Sequence, residues 1–148
     1  MRVRRIAVVC AAAAIAATDA AAQSPQLFEA HSAGQGSGRM DISIREIERR
    51  PRASVLSIEI RNVGSSVGSS FFLLCSVRKL AQARGASSHV VKLEETPQRG
   101  QMLIGFLRGA AEPPGNTDPA FAAAPAGRAQ VIDLEQFAPI CDAKPPAR

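Results

Sequence analysis

SFFLLCSVRKLAQAR, the stretch from Ser70 to Arg84, decides the fold of this chain. Read alone, its first five apolar residues would suit a buried strand. On a helix, at about 100° per residue, apolar residues gather on one side and polar residues on the other. The apolar side holds Leu73, Leu74, Val77, Leu80 and Ala81, and the opposite side holds Cys75, Arg78, Lys79 and Gln82. Ser69 or Ser70 can cap the start, and Gly85 can end the helix in a left-handed conformation. The pattern predicts an amphipathic helix with Cys75 on its outer face.

Two strands are predicted before this helix. Met40, Ile42 and Ile44 alternate with polar residues, which is the two-residue period of a half-buried strand. After a turn at residues 49–52, the same period returns in Leu56, Ile58 and Ile60. Two such runs joined by a short turn predict a β-hairpin.

Two or three further strands are predicted after the helix. The first runs from Ser88 to Glu94, and the second runs from Met102 to Leu107 after a turn at residues 97–100. Gln130 to Leu134 is a possible fifth strand. Residues 110–127 are rich in Ala, Pro and Gly and show little periodicity, which predicts a long, mobile loop.

The predicted fold class is α+β. The order β-β-α-β-β, with a possible fifth strand, predicts a small mixed, mostly antiparallel sheet with one amphipathic helix packed on one face. The strand–helix–strand step is expected to be a right-handed crossover between parallel strands. A single small domain is assigned to residues 40–142, a flexible linker to residues 23–39, which are rich in Gly and Ser, and a tail to residues 143–148.

Residues 1–22 have the three parts of a secretory signal peptide. Residues 1–5 are basic, residues 6–17 are uncharged and apolar, and small residues precede a predicted cleavage between Ala22 and Gln23. The pattern predicts a periplasmic or secreted protein, with no integral membrane span after cleavage.

Two alternatives to a cleaved signal peptide are an uncleaved membrane anchor and a lipoprotein. An uncleaved anchor would need roughly 20 apolar residues to span a bilayer, and the run here is shorter. A lipoprotein would carry its lipid on Cys10, but Val9 occupies the position where a small residue is expected. The cleaved signal peptide is the preferred interpretation.

Cleavage leaves Cys75 and Cys141 as an even pair in an oxidising compartment. A bridge between them would close a loop of about 66 residues and stabilise the fold by roughly 4 kcal/mol. The alternative is a redox-active or metal-binding pair, but the chain has no C-x-x-C, and His31 and His89 stand at no ligand spacing. The sequence therefore predicts a structural disulfide.

The composition argues against nucleic-acid binding. Loss of residues 1–22 lowers the formal net charge from +5 to +3, which is small for a nucleic-acid footprint. The chain has no Trp and no Tyr, so platforms for stacking bases are nearly absent. No nucleic-acid partner is expected.

The first candidate site is the turn Gly64–Ser70, which joins the second strand to the helix. Backbone N–H groups at a helix start attract anions; Gly68, Ser69 and Ser70 would supply them, and Arg61 would add positive charge. The spacing departs from the phosphate-binding G-x-x-x-x-G-K-[ST] loop and lacks its lysine. The alternative is an ordinary turn in which a serine caps the helix.

The second candidate is a basic group around the first turn, formed by Arg45, Arg49, Arg50 and Arg52. Such a group would attract lipid phosphates or acidic glycans. Because Glu46 and Glu48 are interleaved with these residues, the alternative is a solvated turn with local ion pairs.

No catalytic constellation stands out. The chain has two His and no G-x-S-x-G turn, and its neighbouring Glu94 and Glu95 would point to opposite faces of a strand. No enzyme activity, cofactor or metal site is therefore expected. The sequence favours a non-catalytic accessory protein that binds another envelope protein. The alternative is a small anion-binding or ligand-binding protein that uses the Gly64–Ser70 turn; the oligomeric state stays open.

Overall fold

The computed structural model describes residues 26–33 and 39–143. The predicted signal peptide at residues 1–22, its cleavage site between Ala22 and Gln23, and tail residues 144–148 lie outside the described residues. No helix within the described ranges has the length and apolar character needed to cross a membrane.

The described chain forms one six-stranded sheet. Its strands are β1 (Glu29–His31), β2 (Asp41–Arg49), β3 (Ala53–Asn62), β4 (His89–Glu94), β5 (Gln101–Leu107) and β6 (Gln130–Asp133). Their order across the sheet is β1-β2-β3-β5-β4-β6, and each neighbouring pair is antiparallel. The α+β class is confirmed, and the possible fifth strand is present as β6.

The strand order departs from the chain order at the centre of the sheet. β5 lies between β3 and β4 and is antiparallel to both, so β3 and β4 run in the same direction without being neighbours. The expected crossover thus joins parallel strands, but no two neighbouring strands of the described sheet are parallel. Residues 102–107 of β5 are all buried, and only a strand covered on both faces can bury consecutive side chains. This double burial accounts for the central position of β5.

Helix α1 (Ser66–Ala83) begins earlier than the sequence indicated. Its N-cap is Ser65, which is extended and whose Oγ accepts a hydrogen bond from the Gly68 N–H at 3.0 Å. Ser69 and Ser70 therefore lie inside the first turns of the helix, and neither of them caps it. Several serines in this segment suit the cap position, so the cap could not be chosen from residue type alone.

The buried side of α1 is also broader than predicted. Its buried residues are Ser69, Phe72, Ser76, Val77, Arg78, Leu80 and Ala81. Leu73 and Leu74, expected at the centre of the apolar side, are only half-buried. Arg78, expected outside, is buried because Glu135 and Asp142 of the C-terminal segment cover it. The helix packs on a core that includes Ile42, Ile44, Leu56, Val90, Ile104 and Phe106.

The second face of the sheet is covered by the segment predicted to be a mobile loop. Within residues 110–127, a 3-10 turn at Pro114–Asn116 precedes helix α2 (Pro119–Ala123). Phe121 of α2 packs in a second apolar cluster with Val55, Val91, Leu103 and Leu107. The segment therefore completes the fold, in contrast to the predicted loop.

Long-range ion pairs hold this segment in place. Arg50 contacts Asp118 at 2.8 Å, and Arg52 contacts Glu112 at 2.7 Å. Asp118 also caps α2 by accepting the Ala120 N–H at 2.9 Å. These pairs join residues far apart in the chain, so local periodicity could not reveal them.

Strand β1 lies within the predicted flexible linker. The Phe28 N–H donates to Glu46 Oε2 at 3.0 Å, and the Ile42 N–H donates to Ser32 Oγ at 2.8 Å. Ser32 is fully buried, and Phe28 packs against the core. This part of the linker segment is thus held on the sheet by long-range contacts.

The predicted disulfide between Cys75 and Cys141 is confirmed. It joins α1 to a segment made of a 3-10 turn (Leu134–Phe137) and helix α3 (Ala138–Cys141). We call residues 134–143 the C-terminal strap. The strap lies across the outer side of α1, as expected from the outward position of Cys75.

Candidate functional site

A groove of about 250 Å³ lies between the N-terminal half of α1 and the sheet. The helix contributes Ser70, Leu73, Leu74 and Val77 to its lining, and the sheet contributes mainly Ile58, Met102 and Ile132. Residues three and four apart lie on one side of a helix, so the four helix residues form a continuous wall. Apart from a charged pair described below, the lining is apolar.

The groove exists because α1 covers only part of β3. On one face of this strand, Leu56 is 1% exposed, Ile58 is half-buried and Ile60 is 50% exposed. Residues two apart on a strand share a face, so all three side chains point to the α1 side. The sheet thus continues past the cover of the helix, and Ile58 forms part of the groove floor.

Three exposed apolar side chains lie in the end of β3, in the loop after it and in the first turn of α1. Ile60, Val63 and Val67 are 50%, 45% and 63% exposed. Val67 lies about one turn before Ser70 and about two turns before Leu74, so it shares the groove-facing side of the helix. We call Ile60, Val63 and Val67 the apolar strip. Single exposed apolar residues are ordinary on protein surfaces, but neighbouring ones beside an apolar groove indicate a contact surface.

A charged pair forms one wall of the groove. Lys92 and Glu94 follow Val90 on the α1-facing side of β4, and Lys92 Nζ donates to Glu94 Oε1 at 2.6 Å. The two charges neutralise each other. Among the described residues, no buried side-chain N or O atom lacks a hydrogen-bond partner. The groove therefore offers apolar contact without an unpaired polar group at its base.

The other end of α1 is closed by a buried ion network around Glu46, which is 3% exposed. Its carboxylate accepts hydrogen bonds from Arg49, Ser54, Arg84 and the Phe28 N–H. Burial raises the pKa of Glu46, but the hydrogen bonds from Arg49, Ser54 and Phe28 together lower it further, to about 2. The carboxylate is thus charged and fully occupied by partners within the protein.

Arg84 completes this network. Its guanidinium donates to Arg50 O at 2.6 Å and to Ser54 Oγ at 2.8 Å, and it lies 5.0 Å from the centroid of the Phe106 ring. With these contacts it ties the end of α1 to the β2–β3 hairpin. The network holds the fold together, and the role of Arg84 in it was not predicted.

The residues of the predicted anion site have hydrogen-bond or ion-pair partners within the protein. The Gly68 N–H donates to Ser65 Oγ, and the hydroxyls of Ser69 and Ser70 donate to Ser66 O at 3.0 and 2.9 Å. Arg61 is ion-paired with Glu59 at 2.9 Å. The Ser69 N–H donates to Ser65 O at 2.9 Å, so the backbone N–H groups of both Gly68 and Ser69 are bonded within the helix start, and Ser70 belongs to the groove instead.

The predicted basic group is largely neutralised. Arg49 pairs with Glu46, Arg50 with Glu48 and Asp118, and Arg52 with Glu112. The ion-pair alternative describes this turn, although Asp118 and Glu112 come from a distant segment. Arg45 is exposed.

The two described histidines lie away from the groove. Ser88 Oγ lies 3.0 Å from His89 Nδ1, and His89 Nε2 lies 4.0 Å from Asp133 Oδ1. That carboxylate oxygen already accepts the Glu135 N–H, and the groove is lined by none of these residues. His31 contacts Glu29 and Ser43 at an exposed site. No group of three His, Cys, Asp or Glu within residues 26–33 and 39–143 is placed to hold a metal ion.

The groove was not predicted from the sequence. Ile58 and Ile132 were recognised as strand residues, but their incomplete burial depends on how far α1 extends. One signal was present: Lys92 and Glu94 follow Val90 on a single face of the strand. Charged residues on an otherwise apolar face of a strand mark the point where the helix no longer covers the sheet.

Comparison with known proteins gives no match: no protein-family model fits the chain, and no curated protein or solved structure is similar to it. The groove and the apolar strip are the features of the described chain that indicate a function.

Proposed function

We propose that this chain is an exported, non-catalytic accessory protein that binds another envelope protein through the groove and the apolar strip. The observation that carries the proposal is the apolar groove beside Leu74, together with the exposed Ile60, Val63 and Val67 in the chain segment that leads into the same helix. Such a surface gains free energy when an apolar partner removes it from water.

The size of the groove favours a protein over a small molecule. Small-molecule sites typically have volumes of about 300–1,000 Å³ and enclose most of the ligand. The groove is smaller, at about 250 Å³, and the apolar strip lies outside it on the surface. A macromolecule can insert one side chain into the groove and cover the strip at the same time. No specific contact favours the alternative anion-binding function.

Two features support the exported location. The first 22 residues have the pattern of a cleavable leader. The bridge between Cys75 and Cys141 is of the kind that persists in oxidising compartments.

Site-specific photo-crosslinking tests the proposal in cells that produce the protein. Ser70 lies at the groove and is exposed, so a photoreactive amino acid at this position should give one discrete protein adduct. Gln82 is exposed on the outer side of the same helix and serves as the matched control, from which the adduct should be absent.

A charge in the groove provides the second half of the test. In a chain with the photoreactive group at Ser70, Leu74→Glu should remove the adduct because it places a carboxylate in the apolar wall. An adduct that forms equally from Ser70 and Gln82, or that survives Leu74→Glu, would contradict the proposal. The absence of any adduct from Ser70 would contradict it as well.

A further inference from the structure

We propose that the partner is recognised as an extended strand that adds to the free edge of β6, places an apolar side chain at the groove and pairs an acidic side chain with Arg128. This inference rests on the proposed function and specifies the kind of segment that the groove binds.

The two edge strands of the described sheet differ in protection. β1 has three residues, and its Glu29 and His31 are exposed and contact each other at 3.0 Å. In β6 the residues Gln130, Val131 and Ile132 carry no charge, Val131 is 46% exposed, and the single charged residue, Asp133, stands at the end of the strand. Natural sheet edges are usually blocked by charged residues, proline or bulges, and an uncharged edge is a template for strand pairing. Of these two edges, β6 is the one suited to accept a strand.

The hydrogen-bond register shows which groups β6 offers. The Leu134 N–H donates to Ser88 O at 2.8 Å. Hydrogen-bonded pairs alternate along an antiparallel ladder, so Ile132 and Gln130 also turn their backbone groups towards β4. The N–H and C=O of Val131 then point to the free edge. By the same alternation the backbone groups of Asp133 also point outward, so two residues of β6 offer a donor and an acceptor to an added strand.

The groove lies beside this edge. Ile132 faces α1 and lines the groove together with Leu74. In an added strand, the residue opposite Ile132 would have its side chain on the same face as Ile132. Strand addition would therefore bring an apolar side chain of the partner to the mouth of the groove. Main-chain bonds would supply affinity and the groove would supply specificity.

The charge at this edge indicates an acidic partner residue. Arg128 is exposed in the turn before β6 and has no ion-pair partner within the described ranges. Arg128 does not line the groove, but it shares a neighbouring surface hollow with Glu94, which lies at the groove, and with Gln130. Because Lys92 already neutralises Glu94, the guanidinium leaves this end of the sheet positive. A strand antiparallel to β6 runs from Asp133 towards Arg128. An Asp or Glu about four residues after the apolar anchor would reach the guanidinium, at the two-residue period of a strand.

Peptide selection tests this inference with a defined probe. Random peptides displayed on phage are selected against the purified, oxidised full chain. The enriched peptides should share an apolar residue followed about four positions later by Asp or Glu. Enrichment of no peptide, or of peptides without this pattern, would overturn strand addition.

Val131→Pro is the decisive variant. Proline removes the outward N–H of Val131 and blocks an added strand, whereas the ladder to β4 uses the neighbouring residues. A selected peptide should bind this variant at least about tenfold more weakly, a loss of about 1.4 kcal/mol. Val131→Thr keeps the N–H and should bind like the wild type. Equal binding by Val131→Pro and the wild type would overturn the inference.

Peptide chemistry gives an independent measurement that does not depend on folding of the variant. N-methylation of the peptide residue opposite Val131 removes the N–H that bonds to the edge and should abolish binding. N-methylation of the next residue, whose N–H points away, should leave binding unchanged, and equal effects at both positions would overturn strand addition. Arg128→Glu should weaken binding of the acidic peptide, and Arg128→Lys should largely retain it.

The crosslinking experiment separates the two proposals. If Val131→Pro leaves the adduct from Ser70 intact, the groove binds a protein by another geometry: the proposed function stands and strand addition is wrong. If the wild type forms no adduct from Ser70, the proposed function itself fails.

Discussion

The two ends of helix α1 meet the sheet in opposite ways. At the C-terminal end, Arg84 and Glu46 fill the junction with hydrogen bonds, and their polar atoms contact groups within the protein. At the N-terminal end, Leu74 and Val67 are partly or largely exposed beside a groove. We call the C-terminal end of α1 the closed end and its N-terminal end the open end. The closed end fixes the position of the helix, so the open end can leave apolar surface in water without loss of the fold.

Removal of Glu46 should have the largest effect on stability. Glu46→Ala leaves Arg49 and Arg84 without their shared carboxylate, and breaking a buried ion pair typically costs about 3–5 kcal/mol. Urea denaturation measures the change in the free energy of unfolding. The matched control is Glu48→Ala, which removes an exposed partner of Arg50 while Asp118 remains, so a much smaller loss is expected. Equal losses in both variants would show that the closed end is not special.

Acid should lower the stability of the fold through protonation of Glu46. The pKa of Glu46 is about 2 in the folded protein and about 4.5 in the unfolded chain, so its contribution is fully present above pH 4.5 and is lost as the pH falls through 2. Its size is about 3 kcal/mol. Denaturation at pH 7, 4 and 2.5 should show that Glu46→Gln lacks this part of the acid sensitivity of the wild type. Parallel pH profiles of the two proteins would contradict the pKa shift.

Gly105 tests the packing of the second face. A Cβ at Gly105 would stand 2.8 Å from side-chain carbons of both Phe121 and Val91, closer than real contacts allow. Gly105→Ala should therefore destabilise the fold by about 1–3 kcal/mol, through displacement of α2. Gly109→Ala is the control, because no atom lies within 4 Å of the added carbon there. Thermal unfolding of both variants measures the difference, and equal midpoints would show that α2 yields to the added carbon without cost.

A substitution at the open end should have the smallest effect on stability and a large effect on binding. Val67→Ser changes an exposed side chain, so the free energy of unfolding should stay within about 0.5 kcal/mol of the wild type. The yield of the crosslinked adduct from Ser70 should fall because the apolar strip is interrupted. An unchanged yield would remove the strip from the proposed contact surface.

The parts of the fold that local patterns control were predicted well. The three- and four-residue spacing from Leu73 to Ala81 identified α1, and the even number of cysteines identified the bridge from Cys75 to Cys141. Strand periods identified the β2–β3 hairpin. In each of these cases the deciding information lies in residue type and spacing, which a sequence contains directly.

The parts that long-range contacts control were missed. Residues 110–127 lack a period, and their order depends on partners such as Arg50 and Arg52. β1 is three residues long, and the hydrogen bonds that flank it run from the Phe28 N–H to Glu46 and from the Ile42 N–H to Ser32. The candidate site was missed for a related reason: Ile58 and Ile132 resemble core residues in sequence, and only the position of α1 leaves them at a groove.

The place of β5 between two strands that precede it has a consequence for the order of folding. The chain up to Glu94 contains both neighbours of the central strand but no strand to join them. Pairing that proceeds stepwise from the amino terminus would therefore leave a gap in the middle of the sheet. The gap closes only when residues 101–107 add between β3 and β4, so the central pairings form late.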